Sequence, residues 1–322
     1  MSKYIKELTM LYLRISGEII VEKKIVLIIT CSIDETASYI VKKYSNVATF
    51  FRVNVDKFGE YEFVISNKDW RISNECHTIS SGDIYSIYYR KPMLPDLSTY
   101  DSQYHLMMQR DIISIINGIA DSFEGKVLTK PSILRKTENK IYQLLYTGKN
   151  GWNVPNSYIG NSCTECCLYK KGESIIKPLT TGKTYGRNGW ELYQTSIFRG
   201  IYEDIGLTPI YLQNYISKQF EVRITVIERK YYAVRIDTKN KIDWRADYYN
   251  HRYSEIICPD SVIQKCYQMM DDFSLNFGAF DFIVTPDDEW IFLEINPNGQ
   301  WLWLEQKLGI NISKKIVEYL VD

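Results

Sequence analysis

Histidine is scarce: the 322 residues contain three, His77, His105 and His251. No Ser–His or Cys–His nucleophile arrangement is evident around them, so a covalent enzyme intermediate is not expected. Long apolar runs are missing, which argues against a transmembrane helix of the usual length of about 20 residues. Net charge is missing as well, because 39 Lys and Arg balance 39 Asp and Glu. No global basic field draws in nucleic acid or a membrane surface. The pattern GxxxxGK[ST] is absent, which argues against a P-loop fold. The seven cysteines are odd in number and come without an evident secretory signal, so reduced thiols in the cytosol are expected. Cys163, Cys166 and Cys167 cluster as CxxCC, but no second CxxC or nearby His completes a tetrahedral zinc site. Neither zinc nor redox function is expected there.

What is present is ordinary for a folded soluble protein: 45% hydrophobic and 24% charged residues. The length suffices for two or three lobes. Tyrosine is abundant, at 26 residues. Its rigid ring with a polar tip suits a peptide-binding surface, although biased codon usage explains the count as well.

Residues 25–32, IVLIITCS, read as a buried parallel strand. Residues 34–44 have an acidic start and apolar positions at helical spacing, and read as a helix. A strand at 48–58 then gives a β-α-β opening and an α/β lobe over residues 25–125. A strand at 84–97 ends in two prolines. It places Arg90 and Lys91 at the edge where open α/β sheets put ligand contacts. A long helix is expected over 98–123. Residues 126–216 read as a central lobe with a short strand and turn, a helix opened by ENK and a Pro-bounded strand. Its SIIKP strand runs into a loop holding Gly182 and Gly186. Residues 217–322 read as a mostly antiparallel α+β lobe, with helices near 262–277 and 311–320. Residues 1–24 form an unassigned extension.

The chemistry concentrates in FDFIVTPDDEWIFLEINPNG, residues 280–299, which reads as two strands and a polar turn. Asp281 lies in one strand and Glu294 in the other, with Asn296 on the same face as Glu294. All-oxygen side chains suit magnesium rather than zinc. Asp287, Asp288 and Glu289 are the solvated turn. Lys177, where SIIKP meets the Gly/Thr loop, suits phosphate oxygens, though a strand-end lysine is more often solvated. Read alone, Lys140 is a solvent-facing helix lysine, and Gln213, Asn214, Tyr215 and Ile216 are plain strand. Glu221 and Arg223 alternate on one face of EVRIT. Arg223, Arg235 and Arg245 lie on separate segments that can converge on anionic groups, although each singly is more often a surface ion-pair partner.

Taken in order, ENK, IIKP, QNYI, EVR, DWR, FDF and FLEINPNG resemble the ATP-grasp superfamily. The pattern is most similar to its peptide maturases of the microviridin type, the graspetide ligases. The resemblance runs from about residue 25 to the end. It implies an ATP-grasp fold, in which the N-terminal α/β lobe and the central and C-terminal lobes enclose a nucleotide cleft. It also implies ATP and Mg2+ as cofactors. Lys140 and Lys177 would bind the nucleotide phosphates, and the backbone of Gln213, Asn214, Tyr215 and Ile216 would read adenine. An acid is often found where Asn214 stands. Glu221 would bind the ribose, and Asp281, Glu294 and Asn296 would ligate magnesium. Arg223, Arg235 and Arg245 would surround the phosphates and the acceptor carboxylate.

The implied activity is ATP-dependent activation of Asp or Glu side chains in a ribosomally synthesised precursor peptide, leader plus core. Esters or amides with Ser, Thr or Lys would then close rings. A cytoplasmic homodimer acting on neither nucleic acid nor membrane is expected, with the Tyr-rich stretch 186–211 as the leader-docking guess. Two other readings compete. One is an ATP-grasp ligase that appends amino acids to a protein or peptide C-terminus. The other is a non-enzymatic nucleotide- or peptide-binding module on the same scaffold.

Overall fold

The branched run at the start forms β1 (Ile25–Thr30), five of whose six residues are fully buried. In the computed structural model, which describes residues 23–180, 183–186, 189–200, 206–240, 242 and 251–322, β1 lies inside a parallel sheet. Asp34 then caps α1 (Glu35–Tyr44), its carboxylate accepting from the amides of Thr36 and Ala37. The chain returns through β2 (Thr49–Asn54). The strand expected over 48–58 stops at Asn54, where a 3-10 turn begins at the buried Val55.

A small antiparallel meander follows, which the sequence reading missed: β3 (Glu62–Ile65), β4 (Trp70–Ser73) and β5 (Thr78–Ser80). Then β6 (Ile84–Tyr89) and β7 (Lys126–Leu128) complete the first sheet, in the order β2-β1-β6-β7. Between them runs α2 (Ser102–Ser122), capped by Asp101. β6 ends earlier than expected because Lys91 turns into the left-handed region, at φ 43°, just before Pro92.

Two helices meet end to end next. Pro131 opens α3 (Pro131–Thr137), and Asn139 caps α4 (Lys140–Lys149) by accepting from the amides of Ile141 and Tyr142. Four strands then build an antiparallel sheet in the order β12-β9-β13-β8. They are β8 (Ser157–Gly160), β9 (Ser174–Lys177), β12 (Ser196–Ile197) and β13 (Ile210–Asn214). The short α5 (Cys163–Cys166) sits between β8 and β9. The expected loop after Lys177 includes a two-stranded hairpin, β10 (Lys183–Gly186) with β11 (Gly189–Leu192).

The last sheet is five-stranded and antiparallel, in the order β16-β15-β14-β17-β18. Its members are β14 (Phe220–Ile227), β15 (Lys230–Asp237), β16 (Arg252–Glu255), β17 (Phe277–Val284) and β18 (Trp290–Asn296). One face takes α6 (Asp260–Asp272), with Phe220, Val222, Ile224, Phe280 and Phe282 packing around its buried Ile263, Cys266 and Met269. The opposite face joins the first sheet through α7 (Leu302–Leu308) and α8 (Ile312–Val321). Trp301 and Leu304, both fully buried, lie at the centre of that join. The polar row described next lies on that same face. No helix among the described residues is long and apolar enough to cross a membrane.

Candidate active site

Strand alternation and register bring three separated residues into one line. Arg223 on β14 pairs with Asp281 on β17, and Asp281 pairs with Glu294 on β18. Direct cross-strand partners share a face, so all three side chains emerge together. A bulge makes this possible. The register shifts between Asp281 and Phe282, which face Glu294 and Phe292, so Leu293 is the extra residue. Without it, Glu294 would fall on the opposite face from Asp281. Asn296, opposite Ala279, follows on the same side.

Arg223 Nη1 donates to both oxygens of Asp281, at 2.7 and 2.6 Å. Its buried Nε has no hydrogen-bond partner among the described residues. Gly299 lets this guanidinium come close, because a Cβ there would stand 2.7 Å from Arg223 Nη2 and 2.6 Å from the Ala279 Cβ. Asn296 Oδ1 accepts from the Asn298 amide at 3.1 Å, which fixes the turn and leaves that oxygen a second lone pair. Glu221 is buried two residues before Arg223 and ion-paired with Lys218.

A cleft opens where the second sheet meets α4 and β18. Lys140, Lys177, Tyr211, Gln213 and Glu294 line it. Lys140 Nζ donates to the Pro178 carbonyl at 2.9 Å and lies 3.6 Å from Glu294 Oε2. Lys177 Nζ stands 4.4 Å above the Tyr211 ring. Burial pushes the Tyr211 phenol up to about 12, so it stays neutral. Gln213 is 2% exposed; its Nε2 donates to Ser157 Oγ and Tyr211 Oη, while its buried Oε1 has no partner among the described residues. The Asn214 and Tyr215 amides donate to Asn156 O and Glu173 O, so neither is offered to a base.

The C-terminal ends of β1 and β6 bring further charged groups toward the loop beyond Asn296. Arg90, 1% exposed, lies 3.0 Å from Asp34 Oδ2, donates to Thr36 Oγ1 at 3.1 Å and bonds Gln300. This ties the first sheet to the loop beyond Asn296. Lys91 is solvent-reached, yet enough protein surrounds it that burial, aided by Arg90 and Arg223, lowers its ammonium to about 8. Asp34 and Glu138 act the other way. Burial raises the Glu138 carboxyl, with Lys91 opposing.

The structure therefore gathers Lys140, Lys177, Gln213 and Glu294 in one cleft. It aligns Arg223, Asp281 and Glu294 in one row. Arg235 departs from the expected convergence. It pairs with Val222, so it lies on the opposite face, over Phe220 at 3.9 Å and ion-paired to Asp237 at 2.7 Å. Arg245, the extension over residues 1–22 and Gly182 lie outside the described residues. In the CxxCC cluster, Cys166 is buried and Cys167 exposed.

Sequence reasoning missed Gln143, Tyr211, Asp34 and Gly299. A signal existed for two of them. Gln143 is polar at a buried helix position, and Gly299 closes the Asn-Pro-Asn-Gly turn.

The donor set suits a hard divalent cation, since Asp281, Glu294 and Asn296 offer only oxygen from adjacent strands. Two buried unpartnered polar atoms, Gln213 Oε1 on the cleft wall and Arg223 Nε beside the row, fit a polar ligand. The fold is that of ATP-grasp ligases, and residues 194–320 match the RimK-like ATP-grasp domain. Within that class, the chain is similar to a RiPP-associated ATP-grasp ligase of Chryseobacterium gregarium, solved with ADP and a leader and core peptide. Identity is 25%, over 93% of this chain and 96% of that one, with a TM-score of 0.81. The macrocyclase MdnB of Microcystis aeruginosa MRC is 27% identical over 92% of this chain and 99% of its own, with a TM-score of 0.76. MdnC from the same strain, solved with the precursor peptide MdnA, shares the fold at 24% identity and a TM-score of 0.82, over 92% and 99%. No curated protein matches the sequence.

Proposed function

We propose that this protein is an ATP-dependent macrocyclase acting on a ribosomally made precursor peptide. It activates Asp or Glu side chains and joins them to Ser, Thr or Lys side chains. The observation that carries the reading is the row Arg223–Asp281–Glu294, whose Glu294 end lines a cleft that also holds Lys140 and Lys177. Its likeness to a RiPP-associated ligase and to MdnB supports the peptide substrate.

A carboxylate resists attack because its oxygen is a poor leaving group. Phosphoryl transfer from ATP gives an acylphosphate and ADP, and a hydroxyl or amine then attacks the acyl carbon and releases phosphate. Lys140 and Lys177 hold the nucleotide phosphates from the helix and strand ends that present them. Gln213 borders the base, and Glu221 takes the ribose. Asp281, Glu294 and Asn296 would hold Mg2+, which would neutralise charge on the transferring phosphoryl group. Arg223 orients Asp281 and turns its unused N–H groups toward the anionic acceptor. Lys91, within electrostatic reach of Arg223, supplies a second cation for the acceptor carboxylate. The setting is cytoplasmic, and the working unit is a homodimer.

Glu294→Gln tests the reading, since it keeps shape and removes charge. Peptide modification is expected to fall below detection while peptide binding persists. Modification at the normal rate would refute the assignment.

A further inference from the structure

β18 is the outer strand of its sheet, so one row of its backbone groups has no neighbouring strand. Two contacts from the α4 region cover that row. The Phe292 amide donates to Asn153 O at 2.9 Å. Gln143, on α4, takes both polar groups of Ile295: its Nε2 donates to Ile295 O at 2.9 Å, and its Oε1 accepts from the Ile295 amide at 3.0 Å. The same nitrogen donates to Thr137 O at 2.8 Å. The side chain is 5% exposed and both its N–H groups are used; reversed, it would set its oxygen against two carbonyls. Gln143 thus copies a peptide unit of a sixth strand at one residue.

That residue is Ile295, between Glu294 and Asn296. Fixing its backbone on both sides fixes the direction in which both neighbours leave the strand. The need is local. The bulge at Leu293 loosens the ladder just before Glu294, and the turn at Asn296 ends it just after.

Resting on the reading that Glu294 and Asn296 serve a magnesium nucleotide, we propose that Gln143 is a positioning residue. Its side-chain amide acts as the absent strand neighbour of Ile295 and sets the aim of the two oxygen donors. Gln143→Met tests this, being similar in length and lacking the amide. Two quantities are read on the full-length protein: amide hydrogen exchange at Ile295 without ligand, and ADP affinity with and without Mg2+. Exchange at Ile295 is expected to quicken about tenfold or more, while Ile224 in the central strand stays unchanged. The gain in ADP affinity on adding Mg2+ is expected to shrink about tenfold, with metal-free affinity within about twofold of the parent. Gln143→Asn, one methylene short, is expected to fall between, and it serves if the methionine variant does not fold. Unchanged Ile295 exchange or an unchanged magnesium gain overturns the proposal. So does an equal loss of ADP affinity with and without metal, which would make Gln143 only a wall of the cleft. Absence of any magnesium gain in the parent protein sinks the nucleotide reading itself.

Discussion

A methyl group at Gly299 would press on both Arg223 and the Ala279 side chain, at 2.7 and 2.6 Å. Gly299→Ala is therefore expected to displace the guanidinium from Asp281. Overpacking costs about 1–3 kcal/mol in stability. A misplaced cation should cost about tenfold or more in kcat, checked by peptide turnover beside thermal unfolding. Lys91 gives a second prediction at this scale. Its ammonium is held down to about 8 by burial and by Arg90 and Arg223, so the charge is present below that pH and lost above it. Its left-handed backbone is the kind of strain that accompanies functional placement. Turnover is expected to fall as pH rises through about 8, and Lys91→Met should remove that limb and lower the plateau. A parent profile flat from pH 7 to about 9 would exclude Lys91 from the reaction.

Among elements, α8 shows how a distant side chain completes a helix. Its N-cap residue Asn311 makes no side-chain capping bond. Glu305 on α7 does so instead, accepting from the Ser313 amide and hydroxyl, both at 2.7 Å, and from Lys43 and Tyr39 on α1 at 2.7 and 2.8 Å. Burial alone would raise this carboxyl, but the bonds from Lys43, Ser313 and Tyr39 together hold it below its usual range. The stabilisation is thus full above the unfolded carboxylate range and lost as pH falls through the lower folded value. Glu305→Ala is expected to cost about 3 kcal/mol near pH 7 in denaturant unfolding. The difference from the parent should narrow in acid; a constant difference down to about pH 3 would contradict the charge-based account.

The same scale shows what could be read beforehand. The strands bearing Asp281 and Glu294 were legible because apolar alternation and a polar turn are local signals. The Leu293 bulge was not, since a register shift is set by the partner strand. Gln143 stood out only as a polar helix residue, and its role stayed hidden because its partner is a backbone unit 152 residues away. Arg235 misled because residue type alone does not say which face of a strand it occupies.

For the whole molecule, the proposed site draws on three sheets. The first sheet brings Arg90 and Lys91, the second brings Lys177 and Gln213, and the third brings Arg223, Asp281 and Glu294. Apolar packing around Trp301 and α8 joins the first unit to the third, and Arg90 with Gln300 ties them at the rim of the site. In the proposed reaction, ATP is spent to condense two side chains of one peptide. Mass spectrometry of a co-encoded short peptide, incubated with the protein, ATP and Mg2+, tests it most directly. The account predicts the loss of one water for each bond formed, one ADP per water, and no need for a free amino acid. A peptide that gains mass only when a free amino acid is supplied would contradict it and establish an appending ligase instead.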